Sequence, residues 1–291
     1  MKIAHLINAH RNLSQLIRLV SQLSDRNASL FVHLDRKISD EATAEFASAV
    51  SQYGVHLIRE RINVTWGGFS QVQATLNGLR TIIKSGVDRF DYINILSGQD
   101  YPLQQTEALL SFLNDSRGGE FMEAIELTKY GVGTELYRYQ QYHLKETITI
   151  SCTLRRWIER CANRVLPIRK PPLGGNIYAG SSWWTITNVL ACYILDFLER
   201  NREYARFFAT THSADEMFFQ TIVVNSPFRE QLRNRNLRYI DWSAHGRSPK
   251  TLTRHDLHSL KTSGQFYARK FDTVVDAEIL DMLDVHLKGS P

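Results

Sequence analysis

Segments typical of strands and of helices alternate through the first half of the chain, and this alternation restricts the fold more than any other feature. Residues 2–8 form an apolar run typical of a buried strand, and the leucines of residues 13–23 are spaced as in a helix that begins near Asn12. Residues 29–35 predict a second strand, and residues 40–53 a second helix. The sequence therefore predicts an α/β fold with a mostly parallel central sheet flanked by helices, and ligands at the carboxyl ends of its strands.

The same patterns predict most of the remaining elements. Strands are expected at residues 55–59, 90–96, 120–124, 181–186 and 237–241, and helices at residues 70–85, 107–114, 153–165, 188–199, 214–224 and 276–286. Residues 127–175 are less regular and rich in proline, which indicates a loop-rich insertion with one helix. We predict one domain, with a nucleotide-binding half at residues 1–125 and a second half at residues 126–291.

The charge of the chain favours an anionic partner. A net charge of +5 and a pI near 9.1 suit a nucleotide diphosphate, anionic lipid or nucleic acid. The sequence contains no RRM, zinc-finger or basic-zipper pattern, so nucleic acid is not an expected partner. Arg156, Arg160 and Arg164 recur every fourth residue beside Trp157 and Ile158, a pattern that favours either contact with an anionic membrane or a solvated helix face.

The cysteines and the apolar segments bear on location. Cys152, Cys161 and Cys192 lack the spacing of a metal site and cannot all pair with one another, which suits a reducing compartment. Polar residues interrupt the first strand before a signal-peptide core forms, and no stretch has the length of a membrane span. We expect a cytoplasmic protein, at most peripheral at the inner face of the plasma membrane.

The run Ser213-Ala214-Asp215-Glu216 opens a predicted helix and has two interpretations. Ser213 and the carboxylates suit a helix cap, whereas one carboxylate also suits a general base that removes a proton from an attacking hydroxyl. His212 and Asp215, together with Asp100, are the alternative ligands of a metal-dependent enzyme. However, the chain has no Asp-X-Asp, and no second cluster completes such a site, so no metal is expected.

Carboxylates and cations suited to a nucleotide lie at strand ends and in the tail. Asp35 and Asp100 each follow a predicted strand, where a carboxylate either accepts hydrogen bonds from a uracil or ribose or caps a turn. Cations that either stabilise a leaving diphosphate or face solvent are Arg247, Lys250, Arg254, Arg269 and Lys270.

Aromatic side chains are the remaining candidates for a binding site. Trp66, Tyr178, Trp183 and Trp184 suit either sugar platforms or core packing. Because side chains alternate along a strand, one of the two adjacent tryptophans is expected to face the core and the other a cleft.

In their order and spacing, these segments resemble the core-2/I-branching and peptide xylosyltransferase family (glycosyltransferase family 14), from Lys2 to about Asp284. The segments that carry the resemblance are Ile3-Ala4-His5-Leu6-Ile7, Val32-His33-Leu34-Asp35, Trp66-Gly67-Gly68-Phe69-Ser70-Gln71-Val72-Gln73-Ala74, Tyr92-Ile93-Asn94-Ile95-Leu96-Ser97-Gly98-Gln99-Asp100-Tyr101-Pro102, Gly180-Ser181-Ser182-Trp183-Trp184, Ser213-Ala214-Asp215-Glu216 and Ala268-Arg269-Lys270-Phe271-Asp272. Animal members carry a membrane anchor and several disulfides, so we expect a bacterial member here.

The resemblance implies a GT-A-like fold and an inverting reaction without a bound metal or other cofactor. It implies that Glu216 is the catalytic base and that Arg247 and Lys270 bind the diphosphate of the UDP-sugar. Arg254 is the alternative to Arg247, because His255 stands where the family has glycine. Asp35 and Asp100 then bind the donor, and Trp66, Tyr178 and Trp184 the acceptor.

The implied activity is transfer of GlcNAc or xylose from a UDP-sugar to a hydroxyl of a glycan or lipid-linked saccharide. Residues 127–178 match the family least, so the acceptor is not implied; we expect a bacterial surface polysaccharide. The alternatives are a noncatalytic module that binds a nucleotide-sugar or a glycan on the same fold, and a metal-dependent transferase or hydrolase.

Overall fold

The computed structural model describes residues 1–86, 90–129, 135–148, 150–244, 246 and 248–289, with Leu173 described by its backbone only. Its strands are β1 Ile3–Ala9, β2 Ala28–Leu34, β3 His56–Leu57, β4 Tyr92–Ser97, β5 Asp100–Pro102, β6 Glu120–Phe121, β7 Ile125–Glu126, β8 Tyr178–Ala179, β9 Thr185–Thr187, β10 Leu232–Arg233, β11 Arg238–Ile240 and β12 Tyr267–Arg269. Its helices are α1 Leu13–Leu23, α2 Asp40–Ala49, α3 Ser70–Lys84, α4 Thr106–Asp115, α5 Tyr137–Gln140, α6 Cys152–Val165, α7 Asn188–Arg200, α8 Arg202–Phe208, α9 Phe218–Val224, α10 Leu257–Thr262 and α11 Glu278–Gly289.

The central sheet has seven strands in the order β10-β6-β9-β4-β1-β2-β3. β1 is parallel to β2 and β4, and β2 is parallel to β3, whereas β9 runs antiparallel to β4 and β6. The predicted α/β fold with a mostly parallel central sheet is confirmed. The parallel strands place the ends of β1, β2 and β4 at one edge.

Apolar cores cover both faces of this sheet, and β1 contributes to both. Ile3 and Ile7 pack with the apolar sides of α1, α2, α4 and α11, whereas Ala4 and Leu6 pack with those of α3, α7 and α9. Gly78 in α3 allows the closest approach, because a Cβ there would lie 2.2 Å from Leu6 Cδ2. The predicted flanking of the sheet by helices is thus confirmed, with β1 held between two apolar layers.

A second sheet of three strands, in the order β11-β12-β5, lies beside the end of β4. β5 is antiparallel to β12, and in this register Asp100 lies opposite Arg269. The sequence did not predict β5 or β12, because three residues are too few to show a periodicity. This sheet brings a carboxylate of the first half next to a cation of the tail.

The predicted helix over residues 214–224 is wrong in its first turn. Residues Ala214–Glu216 form a 3-10 turn, and α9 begins only at Phe218. Ser213 has a left-handed backbone (φ 49°) and makes no capping hydrogen bond with its side chain. Its N–H instead donates to the carbonyl of Gly67 at 3.0 Å, which fixes the turn against the loop before α3.

The two predicted halves of the chain share both sheets. β9 and β10 of the second half join β4 and β6 of the first, and β12 pairs with β5. The division at residue 125 into functional halves stays a prediction. Within the described residues, the structure contains no helix with the length and apolar character needed to span a membrane.

Candidate active site

Asp35 and Lys270 both lie close enough to His10, at the end of β1, for their charges to act on its ring. Asp35, which follows β2, is buried, and its Oδ1 accepts the N–H of Lys37 at 2.9 Å. Asp35 Oδ2 lies 3.3 Å from Lys37 Nζ but accepts no hydrogen bond within the described part of the chain. Burial lowers the pKa of His10. The charges of Arg11, Lys37 and Lys270 lower this pKa further, and the charge of Asp35 raises it.

Asp100 is enclosed between two arginines. Its Oδ2 accepts the N–H of Ser97 at 3.1 Å and lies 3.9 Å from Arg238 Nε, and its Oδ1 lies 3.5 Å from Arg269 Nη1. Burial raises the pKa of the Asp100 carboxyl, and the two guanidinium groups oppose that rise. The sequence predicts a donor contact at Asp100, but its side chain has no exposed surface and instead holds Arg269 in place.

Arg269 and Lys270 form the cationic part of the site. The Arg269 guanidinium lies 4.3 Å from the centre of the Trp183 ring. Burial lowers the pKa of Arg269, and the charges of Asp100 and Asp215 oppose this change. Burial also lowers the pKa of Lys270, and the charges of Arg11 and Arg269 lower it further. Within the described residues, no carboxylate lies within ion-pair distance of Lys270. These adjacent cations favour an anionic ligand.

Of the other predicted tail cations, Lys250 and Arg254 have partners of their own. Arg247 lies outside the described residues. Arg254, its alternative, pairs with Glu278 at 2.6 Å, and Lys250 pairs with Asp256 at 2.6 Å. Both of these side chains are therefore paired with a carboxylate. Among the predicted tail cations that the structure describes, Lys270 is the one without such a partner.

Glu216 lies at the end of the 3-10 turn with part of its carboxylate open to solvent. Its Oε2 is 2.6 Å from Nη2 of Arg138, which is buried and also donates to the Ser213 carbonyl at 3.1 Å. The Glu216 carbonyl accepts the N–H of Gly180 at 2.9 Å. Both the backbone and the side chain of this glutamate are thus fixed. Sequence analysis missed Arg138, since no local pattern links residues that are far apart in the chain.

Asp215, the neighbour of Glu216, is in a different environment. Its buried Oδ2 accepts hydrogen bonds from Ser182 Oγ at 2.6 Å and from Gln71 Nε2 at 3.1 Å. Burial, and then the charge of Glu216, raise the pKa of the Asp215 carboxyl to about 6. Adjacent carboxylates in contrasting environments are typical of sites that handle protons.

Aromatic side chains surround the loop that precedes α3. Trp66 is 59% exposed, with Lys145 Nζ 5.3 Å from its ring centre and His212 against its edge at 6.3 Å. The ring of His212 also packs against those of Tyr137 and His143. Because the Gly67 carbonyl accepts the N–H of Ser213, Trp66 lies beside the turn that carries Glu216.

Tyr178 and Trp184 lie elsewhere. Tyr178 is half-buried in β8, and its phenol is near Lys129. Trp184 is fully buried and packs against Phe219 at 5.1 Å, so it has no face to offer a sugar. The prediction for Trp184 is therefore corrected: of the two adjacent tryptophans, Trp183 is the half-buried one, and it lies beneath Arg269.

The residues of the alternative metal site have other partners or environments. Asp100 is paired with arginines and Asp215 with Ser182, while burial lowers the pKa of His212 to about 4. Within the described ranges, no group of three or more His, Cys, Asp or Glu side chains is arranged to hold a metal ion.

Comparisons with known proteins give consistent relatives. A family model described as "Branch: Core-2/I-Branching enzyme" matches residues 3–262, which excludes Arg269 and Lys270. Xylosyltransferase 2 of Canis lupus familiaris is 26% identical over 311 residues, which cover 100% of this chain and 34% of that protein. Xylosyltransferase 1 of Homo sapiens is 24% identical over 312 residues, with coverage of 100% and 31%. The chain therefore spans about a third of the length of these relatives.

Among solved structures, apo mouse xyloside xylosyltransferase 1 aligns with a TM-score of 0.41 and 9% identity, covering 91% of this chain and 97% of that chain.

Proposed function

The chain belongs to the core-2/I-branching enzyme family, a family of glycosyltransferases, and from this premise we propose that it transfers a sugar from a UDP-sugar to a glycan hydroxyl. We propose inversion at the anomeric carbon and no bound metal. One observation carries the proposal: the partly exposed Glu216 carboxylate lies beside Asp215, which accepts a hydrogen bond from Ser182, and the next residue, Trp183, packs against Arg269, the neighbour of Lys270. We infer that a base and a pair of cations are parts of one site on a GT-A-like fold.

The proposed reaction is a single displacement. Glu216 takes the proton of the acceptor hydroxyl, whose oxygen forms a bond to the anomeric carbon as the bond from that carbon to the diphosphate oxygen breaks. The electrons of the broken bond go to the UDP leaving group, whose charge Lys270 stabilises, together with Arg247. General-base assistance contributes about 100- to 10,000-fold in rate, and fixed cations around a leaving anion act at the same transition state.

The remaining residues are assigned to the two substrates. Asp35 Oδ2 has no hydrogen-bond partner among the described residues, and in the proposed complex it accepts a hydrogen bond from the uridine. Trp66, beside the turn that carries Glu216, stacks on the acceptor sugar, and Tyr178 is a second candidate for contact with the acceptor. The names of the relatives support xylose as the donor sugar, while GlcNAc is the alternative that the core-2/I-branching name favours. We propose an acceptor in the synthesis of a bacterial surface polysaccharide.

The test is UDP release from a panel of UDP-sugars in EDTA, for wild type and Glu216→Gln. Glu45→Gln, an exposed glutamate on α2, is the matched control. We expect release from one donor that survives EDTA, is unchanged in Glu45→Gln and falls at least about 100-fold in Glu216→Gln. Release that stops with EDTA would contradict the metal-free reaction. Tight UDP binding without release, with or without saccharide acceptors, would instead favour the noncatalytic module.

A further inference from the structure

Helix α6 is attached to the protein by its polar side chains. Glu159 Oε1 accepts the N–H of Leu144 at 2.8 Å, and Asn163 exchanges hydrogen bonds with the backbone of Tyr142 at 2.6 and 3.0 Å. Arg155, one turn before Glu159, pairs with it at 3.7 Å. No residue of α6 is buried. A surface helix normally packs against its protein through its apolar stripe. In α6 the polar side packs against the protein instead.

The apolar side of α6 faces solvent. Leu154, Trp157, Cys161 and Val165 follow one another at intervals of three or four residues and therefore share one face. Trp157 is 61% exposed and Val165 82% exposed, and Ile168 extends this surface beyond the helix at 73%. Isolated apolar residues are common on surfaces, but a continuous exposed patch marks a site of interaction.

A stripe of arginines borders the apolar face. Arg156, Arg160 and Arg164 are four residues apart and exposed, and within the described residues none has an ion-pair partner. An anionic bilayer matches this arrangement, because apolar side chains enter the boundary of the acyl chains while arginines reach lipid phosphates. The unpaired positive charge favours a lipid surface over an apolar groove of another protein.

The geometry points to α6 as a membrane anchor: we propose that α6, with residues 166–168, lies flat on an anionic membrane. The segment that holds α6 leads directly to the site. Burial, and then the positive charge of Arg155, lower the pKa of Lys145, and Lys145 contacts the ring of Trp66. Glu146, the next residue, accepts the N–H of Ser70 at the start of α3. One consequence, which rests on the proposed function, is that the acceptor is a lipid-linked saccharide presented at the bilayer surface.

Binding of the whole protein to vesicles tests the proposal. We expect flotation with vesicles of phosphatidylcholine containing about 30% phosphatidylglycerol at about 0.1 M salt, little flotation with pure phosphatidylcholine, and release at about 0.5 M salt. Arg156→Gln/Arg160→Gln/Arg164→Gln should weaken the partition coefficient about 100-fold, since each cation near an anionic surface contributes roughly fivefold. Trp157→Ser/Val165→Ser/Ile168→Ser should weaken it at least about tenfold.

Control variants replace exposed apolar or cationic side chains on other faces of the protein by the same polar residues, serine or glutamine. Val274 and Val285 are 88% and 73% exposed, and Val274→Ser/Val285→Ser should leave vesicle binding unchanged, as should Arg80→Gln/Lys84→Gln/Lys288→Gln. Donor hydrolysis in solution should equal that of wild type in every α6 variant, which separates this proposal from the catalytic one. Absence of wild-type binding, or equal loss in the controls, would overturn the anchor. A wild-type dimer that the apolar variant dissociates, without vesicle binding, would assign the face to a second copy instead.

Discussion

Arg138 Nη2 lies 2.6 Å from Glu216 Oε2, and this ion pair joins side chains 78 residues apart in the chain. The Arg138 side chain is 7% exposed and that of Glu216 43%, so the arginine fixes the carboxylate from the protein side and leaves its outer side open. The base of the proposed reaction is therefore oriented by a buried residue on its protein side. Arg138 is a positioning residue, and its removal has a distinct kinetic signature.

We expect Arg138→Met to lower kcat by about 10- to 100-fold while the KM for the UDP-sugar stays near that of wild type, because a displaced base slows the chemical step without weakening donor binding. Arg138→Lys should recover part of the rate, since a lysine keeps the charge but not the forked hydrogen bonds to Glu216 and the Ser213 carbonyl. Steady-state kinetics with a Tm measured for each variant provides the test. An unchanged kcat in a folded Arg138→Met protein would remove the positioning role.

Asp215→Asn should make the protein more stable above pH 6. The folded pKa of about 6 exceeds the ordinary value of 3.8, so between these values the folded state binds more protons than the unfolded state. The stabilising contribution of protonated Asp215 is complete below about pH 4 and is lost as the pH rises through about 6. Asparagine removes this loss of stability, which is on the order of 3 kcal/mol.

Urea unfolding of wild type and Asp215→Asn between pH 4 and 8 measures this difference, with Asp115→Asn as an exposed control. The gap in unfolding free energy should widen from pH 4 to 6 and then level off. A gap that is constant with pH would show that the carboxyl titrates normally.

Lys270→Met should weaken the binding of UDP by roughly tenfold or more, because a half-buried cation loses a charge-assisted hydrogen bond to phosphate. The difference should shrink at high salt, which screens the charge. Calorimetry at two salt concentrations provides the measurement, with Lys288→Met, on the exposed side of α11, as the control. Equal affinities for wild type and Lys270→Met would place the diphosphate elsewhere.

The tryptophans at 66 and 184 should respond in opposite ways. Trp66→Ala removes an exposed ring, so we expect an unchanged Tm, unchanged donor hydrolysis and a higher KM for the saccharide acceptor. Trp184→Ala empties a fully buried position and should lower the free energy of unfolding by about 3 to 5 kcal/mol. Thermal unfolding and acceptor kinetics on both variants separate the roles. A large stability loss in Trp66→Ala would contradict its assignment to the acceptor.

Local patterns predicted the long elements of the fold well. Residues 13–23 form α1 as expected, and Asn12 caps it, because the leucine periodicity and the capping side chain both act within a few residues. The first turn of the helix expected at residues 214–224 is absent, because Ser213 is bound to Gly67 and Glu216 to Arg138, partners that no local rule identifies. Tertiary contacts override helix propensity there.

The site was predictable where it depends on strand ends. Asp35 and Asp100 follow parallel strands and lie at the expected edge, as the doubly-wound topology requires. For residues 183 and 184, alternation predicted one inward and one outward side chain, but only the register of β9 against β4, in which Thr185 lies opposite Asn94, decides which is which. Arg138 and Arg238 were missed because a buried arginine has no sequence signature.

The pairing of β5 with β12 has a consequence for how the protein is made. Asp100 emerges from the ribosome long before Arg269, the strand partner that compensates its buried charge. Until β12 is synthesised, Asp100 lacks its contact with Arg269 and β5 lacks its strand partner, and both are unfavourable in a folded intermediate. Assembly of the proposed donor side therefore waits for synthesis of β12, and a nascent chain that stops before β12 lacks Arg269 and Lys270.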